Sequence, residues 1–436
     1  VPLKDRGLQP WEIWLSESQE RMVLAVAPEQ VPAIMEVAAK HGAPCADLGH
    51  FGADGVLRVL FGGASVIELP VSFLHGGQPR AELVSRAFVD GPKPVFDQGV
   101  EDATMRIERF LASHAGRSRR PVVRRYDTLV QGGTLLAPLQ GVAAVGPGDG
   151  AVARPLELQA DGGAAPAVVV GVGMCPEWTA IDAAVMGWRA VCEALANVVA
   201  AGADPAWTAL LDNFAWGDPA RPEELGSLVR AVEGCCAASE TFGTPFISGK
   251  DSLRNHWVGP DGERRVVPGT LVVTAVGRLP PGVKPVGTAF REAGECVWVI
   301  GTATMPRTRA PFALVHAAIA AGLVTACHDI SDGGLAAALA EMGFVRGLGA
   351  DVALASWVEA AVVDEAIHDD TPGRFVCTCK ESDAGALAAL FVNVKAVQVG
   401  RVTADGRLAI RHGDRLLLDA DVTALRAIHL GEDARG

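Results

Sequence analysis

Gly49-His50-Phe51-Gly52-Ala53-Asp54-Gly55-Val56-Leu57 returns as Gly400-Arg401-Val402-Thr403-Ala404-Asp405-Gly406-Arg407-Leu408, 351 residues further on. The shared residues are the leading glycine, the Ala-Asp-Gly turn and the leucine two places beyond it. Arg21-Met22-Val23 likewise matches Arg374-Phe375-Val376 at an offset of 353. Two offsets that nearly agree describe an internal duplication with a period of about 350 residues. In a chain of 436 residues this leaves room for one period and a remainder. Ahead of its matched part the second copy carries an apolar run, Val297 to Gly301, a helix from about Phe312, and the turn His328-Asp329-Ile330-Ser331-Asp332-Gly333-Gly334. The counterparts of these segments would precede Val1. The expectation is a tandem duplication whose first copy is truncated at its front.

Working outward, residues 21–27 read as a buried strand, and Pro28-Glu29-Gln30 open an amphipathic helix that ends near His41-Gly42. Ala46 to Leu48, a hairpin signal at Asp54-Gly55, Val56 to Phe61, Gly62-Gly63 and Val66 to Leu69 read as a small β meander. Residues 1–90 therefore form one domain remnant. Residues 91–125, with Pro, Gly and the cluster Arg117-Ser118-Arg119-Arg120, read as a connector. A second domain, 126–285, starts at Tyr126-Asp127. It holds a strand at Val168 to Val172, a helix capped by Asp182 and running to Ala201, a strand at Thr208 to Leu211, and a helix from Pro222 to Phe242-Gly243. Two helices on one face of a sheet is the economical packing, so the fold class is α/β. Residues 286–436 complete the second copy.

Composition narrows the function. The chain is 49% hydrophobic and 20% charged with a net charge of −13, and it lacks the basic stripe that nucleic-acid binding needs. No stretch reads as a membrane span or a signal peptide. Its nine cysteines, among them Cys235-Cys236 and Cys377-x-Cys379, lack zinc-site spacing. They fit free thiols in a reducing compartment, the cytoplasm.

The chemistry concentrates around Ile247-Ser248-Gly249-Lys250-Asp251-Ser252-Leu253-Arg254-Asn255-His256. A glycine there lets backbone N–H groups approach an anion, Lys250 can neutralise charge and Asp251 can hold a divalent metal. The spacing is not that of a Walker loop. The same residues also suit a polar turn after a buried strand. On the preceding helix Glu193 and Asn197 lie four apart and share a face, both offering the oxygen that magnesium prefers. They equally suit a surface pair. Asp212 and Asn213 are expected where a strand ends, the position from which α/β proteins present ligands. Glu193, Asp212 and Asp251 would then converge on metal and phosphate.

These residues resemble the phosphoribosylformylglycinamidine synthase family. The likeness is carried by Glu193 to Pro205, by Leu211-Asp212-Asn213-Phe214-x-Trp216, by Ser248 to Leu253, by His328 to Leu335, and by Ser16-Glu17-Ser18-Gln19-Glu20-Arg21-Met22, in family order along almost the whole chain. The resemblance implies aminoimidazole-ribonucleotide-synthetase-like A and B domains. Residues 1–90 would be the tail of the first B domain, 126–285 the second A domain and 286–436 the second B domain. It implies an ATP- and Mg2+-dependent ligase that turns formylglycinamide ribonucleotide into its amidine with ammonia from a glutaminase subunit or domain. By the same resemblance Glu17, Ser18, Gln19 and Ser252 would contact the ribonucleotide. Asp212, Gly249 and Lys250 would serve ATP, and Glu193, Asn197 and Asp251 the metal. The family's catalytic histidine would belong to an A domain ahead of Val1, supplied in cis or in trans, and the isolated chain would be inactive. His328 and Asp329 would begin a structural turn. The loop 171–178 and the segment after Ile300 depart from the family pattern. The alternatives are a related ATP-dependent synthetase of the same superfamily, such as an aminoimidazole ribonucleotide or selenophosphate synthetase, and a non-catalytic nucleotide-binding subunit.

Overall fold

The computed structural model describes residues 3, 5–77, 79, 81–87, 91, 102–126, 128–158 and 165–432. Val1, Pro2, Lys4, Asp127 and the 92–101 part of the connector lie outside the described residues. The chain divides into two compact units, Val1–Glu82 and Leu83–Gly436.

The smaller unit contains α1 (Pro10–Trp14), α2 (Val31–Lys40), β1 (Val56–Phe61), β2 (Ala64–Pro70) and α3 (Val71–Gly76). β1 and β2 form an antiparallel hairpin closed by Gly62-Gly63, both at positive φ, as a two-residue turn between right-twisted strands requires. The duplication is visible here in three dimensions. The same hairpin recurs at Arg407–His412 and Arg415–Asp421, 351 residues on, and the register irregularity after Val59 is reproduced after Ile410. Residues 21–27, expected as a buried strand, are instead irregular, and Val23 is 84% exposed. Their counterpart Arg374–Cys379 is a buried strand flanked on both sides by others. Residues 21–27 pair with no strand among the described residues, and a strand without neighbours has no partners for its N–H and C=O groups. Ala46 to Leu48 are likewise irregular.

Among the described residues the larger unit has two large sheets, of six and seven strands, and two two-stranded ones, Leu139–Gln140 with Gly146–Pro147 and His256–Val258 with Arg264–Val266. Its first part comprises α4 (Ala103–Ala112), α5 (Arg120–Val123), β3 (Thr134–Leu136), β4 (Leu139–Gln140), β5 (Gly146–Pro147), β6 (Gly150–Ala153), β7 (Ala167–Gly173), α6 (Ala183–Ala200), β8 (Asp204–Ala215), α7 (Pro222–Phe242), β9 (Phe246–Ser252), β10 (His256–Val258), β11 (Arg264–Val266) and β12 (Thr270–Leu279). The sheet order is β3-β6-β7-β12-β8-β9, with β8 and β9 parallel. Along β12, Leu271, Val273, Ala275 and Leu279 are buried, while Val168, Val170 and Val172 of β7 turn to the other, exposed face. That alternation puts α6 and α7 on one side only. By length and apolar character α6 is able to cross a bilayer, contrary to the composition reading, but 78% of it is buried in the protein and it serves as the core helix.

The second part comprises β13 (Cys296–Ile300), α8 (Ala310–Ala320), β14 (Ala326–Ile330), α9 (Gly334–Gly343), β15 (Gly349–Ala353), α10 (Val363–Ala366), β16 (Arg374–Cys379), α11 (Ala384–Leu390), β17 (Ala396–Thr403), β18 (Arg407–His412), β19 (Arg415–Asp421) and α12 (Val422–Leu430). Its sheet runs β14-β16-β13-β17-β15-β18-β19. Edge-to-face contacts from Phe242 on α7 to Phe312 on α8 (5.3 Å) and on to Phe375 on β16 (5.9 Å) join the two parts into one core.

The connector is more than a tether. Asp102 caps α4 by accepting the Met105 N–H, and the helix places Ile107 and Leu111, both essentially inaccessible, into the core formed with α9 and α12. Spacing of four residues puts both on one helix face. Leu111→Ala is therefore expected to destabilise the chain by about 2–5 kcal/mol, whereas Val23→Ala should stay within about 0.5 kcal/mol, both read from denaturant melts.

Candidate functional site

Helix α6 reaches the edge of its sheet because Gly171 and Gly173 face it without side chains. A Cβ on Gly173 would collide with the Ala190 carbonyl, and one on Gly171 would come 2.9 Å from Asn197 Cβ. This approach lets Glu193 Oε2 accept the Met174 N–H at 2.7 Å and Asn197 Nδ2 donate to the Val172 carbonyl at 2.7 Å. The Asn197 side-chain oxygen is left free to serve as a ligand atom.

The groups around Glu193 come from the second sheet. Burial pushes its carboxyl well above the usual range, with the charges of Asp329 and Asp332 adding to the effect. His328 and Asp329, expected to open a turn, are instead buried within β14. They face Asp149, which sits just before β6. His328 Nδ1 lies 2.8 Å from Asp149 Oδ1, and His328 Nε2 lies 2.9 Å from Glu341 Oε2. Burial works against charge on the ring, but the carboxylates of Asp149, Asp329 and Glu341 outweigh it and raise the pKa well above the ordinary value, although Nδ1 makes no hydrogen bond of good geometry. Asp149 Oδ2 accepts the Asp329 N–H at 2.9 Å. Burial raises its own carboxyl to about 6, against the pull of His328. Asp332 is pushed to about 6 by burial and by Glu177, Asp370 and Asp329.

Asp329 Oδ2 is buried without a hydrogen-bond partner. Asp149, His328 and Asp329 bring ligand atoms within 4.8 Å of one another. An orphaned buried carboxylate oxygen in acidic company fits a divalent cation. Asp149 and Glu341 were not identified from sequence. The only signal for Asp149 was its place in Gly148-Asp149-Gly150 ahead of a strand, and nothing local marked Glu341.

The other expected residues form a separate group. Asp212 and Asn213 lie inside β8 rather than at its end, because β12 pairs with the strand up to Ala215. The Gly249 region is no turn: Phe246–Ser252 continues as strand β9, paired in parallel so that Asp212 faces Gly249, Asn213 faces Lys250 and Ala215 faces Ser252. A Cβ on Gly249 would meet the end of the Asp212 side chain, so glycine lets that carboxylate lie against the strand. Lys250 Nζ donates to Ser252 Oγ at 2.5 Å. Burial raises the Asp212 carboxyl and Asp251 adds to the rise. Asp212 and Asp251 thus meet on an exposed strand edge, while Glu193 meets Asp329 and Asp332. The convergence of all three acids expected from the sequence does not occur.

Glu17, Ser18 and Gln19 lie in an exposed loop of the smaller unit, with Ser18 Oγ 2.8 Å from Ser16 Oγ. The counterpart of Glu17 in the second copy, Asp370, has a definite partner: buried Arg189 on α6 donates to Asp370 Oδ1 at 2.8 Å and to its carbonyl at 2.9 Å, while stacking on Trp178.

Protonation of the buried site carries a sign. A histidine with a raised folded pKa stabilises the chain below about 6.5, and that stability is lost as pH rises through the folded value. A raised carboxyl such as Asp149 works in the same direction between the ordinary carboxylate range and about 6. His368, held down to about 4 by burial, opposes them only below the ordinary histidine value. Melting of the cation-free chain is thus expected to move to lower temperature above about pH 6.5, and Asp149→Asn to flatten that slope; stability rising with pH in wild type alone would contradict the assignment.

Comparison with known proteins agrees with this fold. The family model for the AIR synthase related protein, N-terminal domain, matches residues 148–279, and that for the C-terminal domain matches residues 1–62 and 303–413. The chain is 32% identical over 412 residues to the phosphoribosylformylglycinamidine synthase subunit PurL of Chelativorans sp., covering 87% of this chain and 51% of that protein. It is 31% identical to PurL of Thermomicrobium roseum, covering 89% and 55%. The chain therefore spans about half the length of the curated relatives it matches. Among solved structures, Thermotoga maritima PurL complexed with FGAR aligns at TM-score 0.61 and 21% identity, covering 92% of this chain and 56% of that one, and the same protein complexed with ATP aligns at 0.59. The two domain models, the relatives and the shared fold place this chain in the AIR synthase related family, as a homologue of the PurL subunit of phosphoribosylformylglycinamidine synthase.

Proposed function

We propose that this chain forms part of an ATP-dependent ligase of purine biosynthesis, which converts formylglycinamide ribonucleotide to the amidine with ammonia supplied by a glutaminase partner. The observation that supports the reading best is the buried Asp329, whose Oδ2 has no partner, within electrostatic reach of Glu193. Glu193, Asn197 and Asp329 would hold Mg2+, and Asp149 would orient Asp329 through its backbone N–H. A bound Mg2+ there would neutralise phosphate charge on a nucleotide.

At the exposed edge, Asp212, Gly249 and Lys250 are suited to nucleotide phosphates, Asp251 to a further metal ion and Ser252 to the ribonucleotide. Gly249 keeps the strand surface open, and Lys250 is anchored on Ser252. Glu17, Ser18 and Gln19 of the smaller unit would hydrogen-bond the ribonucleotide. The exposed valines of β7 provide a face for a second A-type domain, present in cis or in trans. The burial of the Glu193 site favours a retained nucleotide there, with turnover at a site completed by that second domain.

Glu193→Gln and Asp329→Asn should each weaken Mg2+ binding about 10–100-fold in calorimetry on the full chain; unchanged affinity in both variants would remove the metal assignment. The chain alone, given ATP, Mg2+, ribonucleotide and ammonia, should form no amidine, and measurable product would refute the need for a second A-type domain.

A further inference from the structure

A cleft of about 490 Å³ opens in the larger unit where the β4–β5 hairpin meets Gly287 to Arg291 and the residues following α9. Neither the Glu193 group nor the Asp212 group lines it. Among the described residues three arginines do, Arg124, Arg291 and Arg346, and no acidic residue does. That imbalance stands out in a chain with 51 acidic and 38 basic residues. Leu135 and Pro138 supply apolar wall.

Two further observations point to a ligand. Gln140, 9% exposed, lines the cleft; its Oε1 accepts the Thr288 N–H at 3.1 Å, which fixes the amide orientation, and its buried Nε2 has no partner. The backbone is also strained here. Of the five non-glycine residues at positive φ among the described residues, Leu129 (61°) and Ala144 (53°) line the cleft and Gln131 (64°) lies two residues from Leu129. Strain of this kind gathers at ligand clamps and switch regions.

We infer that this cleft binds a small organic anion, its phosphate or carboxylate group held by the arginines and its apolar body against Leu135 and Pro138. Guanidinium groups pair with either anion through two parallel N–H donors, and the volume suits one small molecule. Gln140 Nε2 adds a neutral donor.

The test titrates the full chain with phenyl phosphate, benzoate and phenol by calorimetry and ligand-observed NMR. At least one anion should bind while phenol does not, and the preferred anion tells a phosphate ester from a carboxylate source. The Arg291→Glu/Arg346→Glu double variant, altered only at exposed positions, should lose at least about tenfold in affinity with its melting temperature unchanged. Asp329→Asn should bind as wild type does, which separates this site from the proposed metal site. Failure of both anions to bind, equal binding of phenol, or unchanged affinity in the double variant would overturn the inference.

Discussion

The approach of α6 to β7 is the constraint on which the rest of the larger unit depends. Two glycines on the strand remove the side chains that would hold the helix away, and the gap closes with hydrogen bonds from Glu193 and Asn197 to strand backbone. A carboxylate that would otherwise face solvent is thereby drawn under the second sheet. Its pKa rises because the same packing that positions it removes its water. Structure and chemistry come from one contact.

The second sheet answers with its own buried charges. His328 balances Asp149 and Glu341, so part of the negative charge is neutralised inside the protein. Asp329 and Glu193 remain, with one oxygen lacking a partner. Burial, with two carboxylates packed this way, favours the protonated form, which is the physical reason the Glu193 carboxyl is pushed above its usual range.

The duplication shows how far local sequence reaches. The hairpin β1–β2 and its repeat share turn length, register and irregularity, because a two-residue turn and alternating side chains specify a hairpin locally. The strand beginning at Arg374 and its counterpart at Arg21 share sequence but not structure. One is enclosed by neighbouring strands and the other is exposed. Side-chain pattern offers a strand; only neighbours on both edges make it one.

Sequence alone determined the α/β class, the period near 350 residues and the caps of α6 and α7, since caps, turns and face periodicity act within a few residues. It misplaced Asp212 and Gly249, which sit in paired strands, and it took His328 and Asp329 for a structural turn. It left Asp149 and Glu341 unseen, and took the helix-bearing connector for a tether. These depend on contacts between residues 13 to 313 positions apart, and no local pattern encodes which carboxylate will lie beside which imidazole. Tertiary structure decided that Glu193 joins Asp329 and not Asp212, because α6 packs so that this residue is buried toward the second sheet.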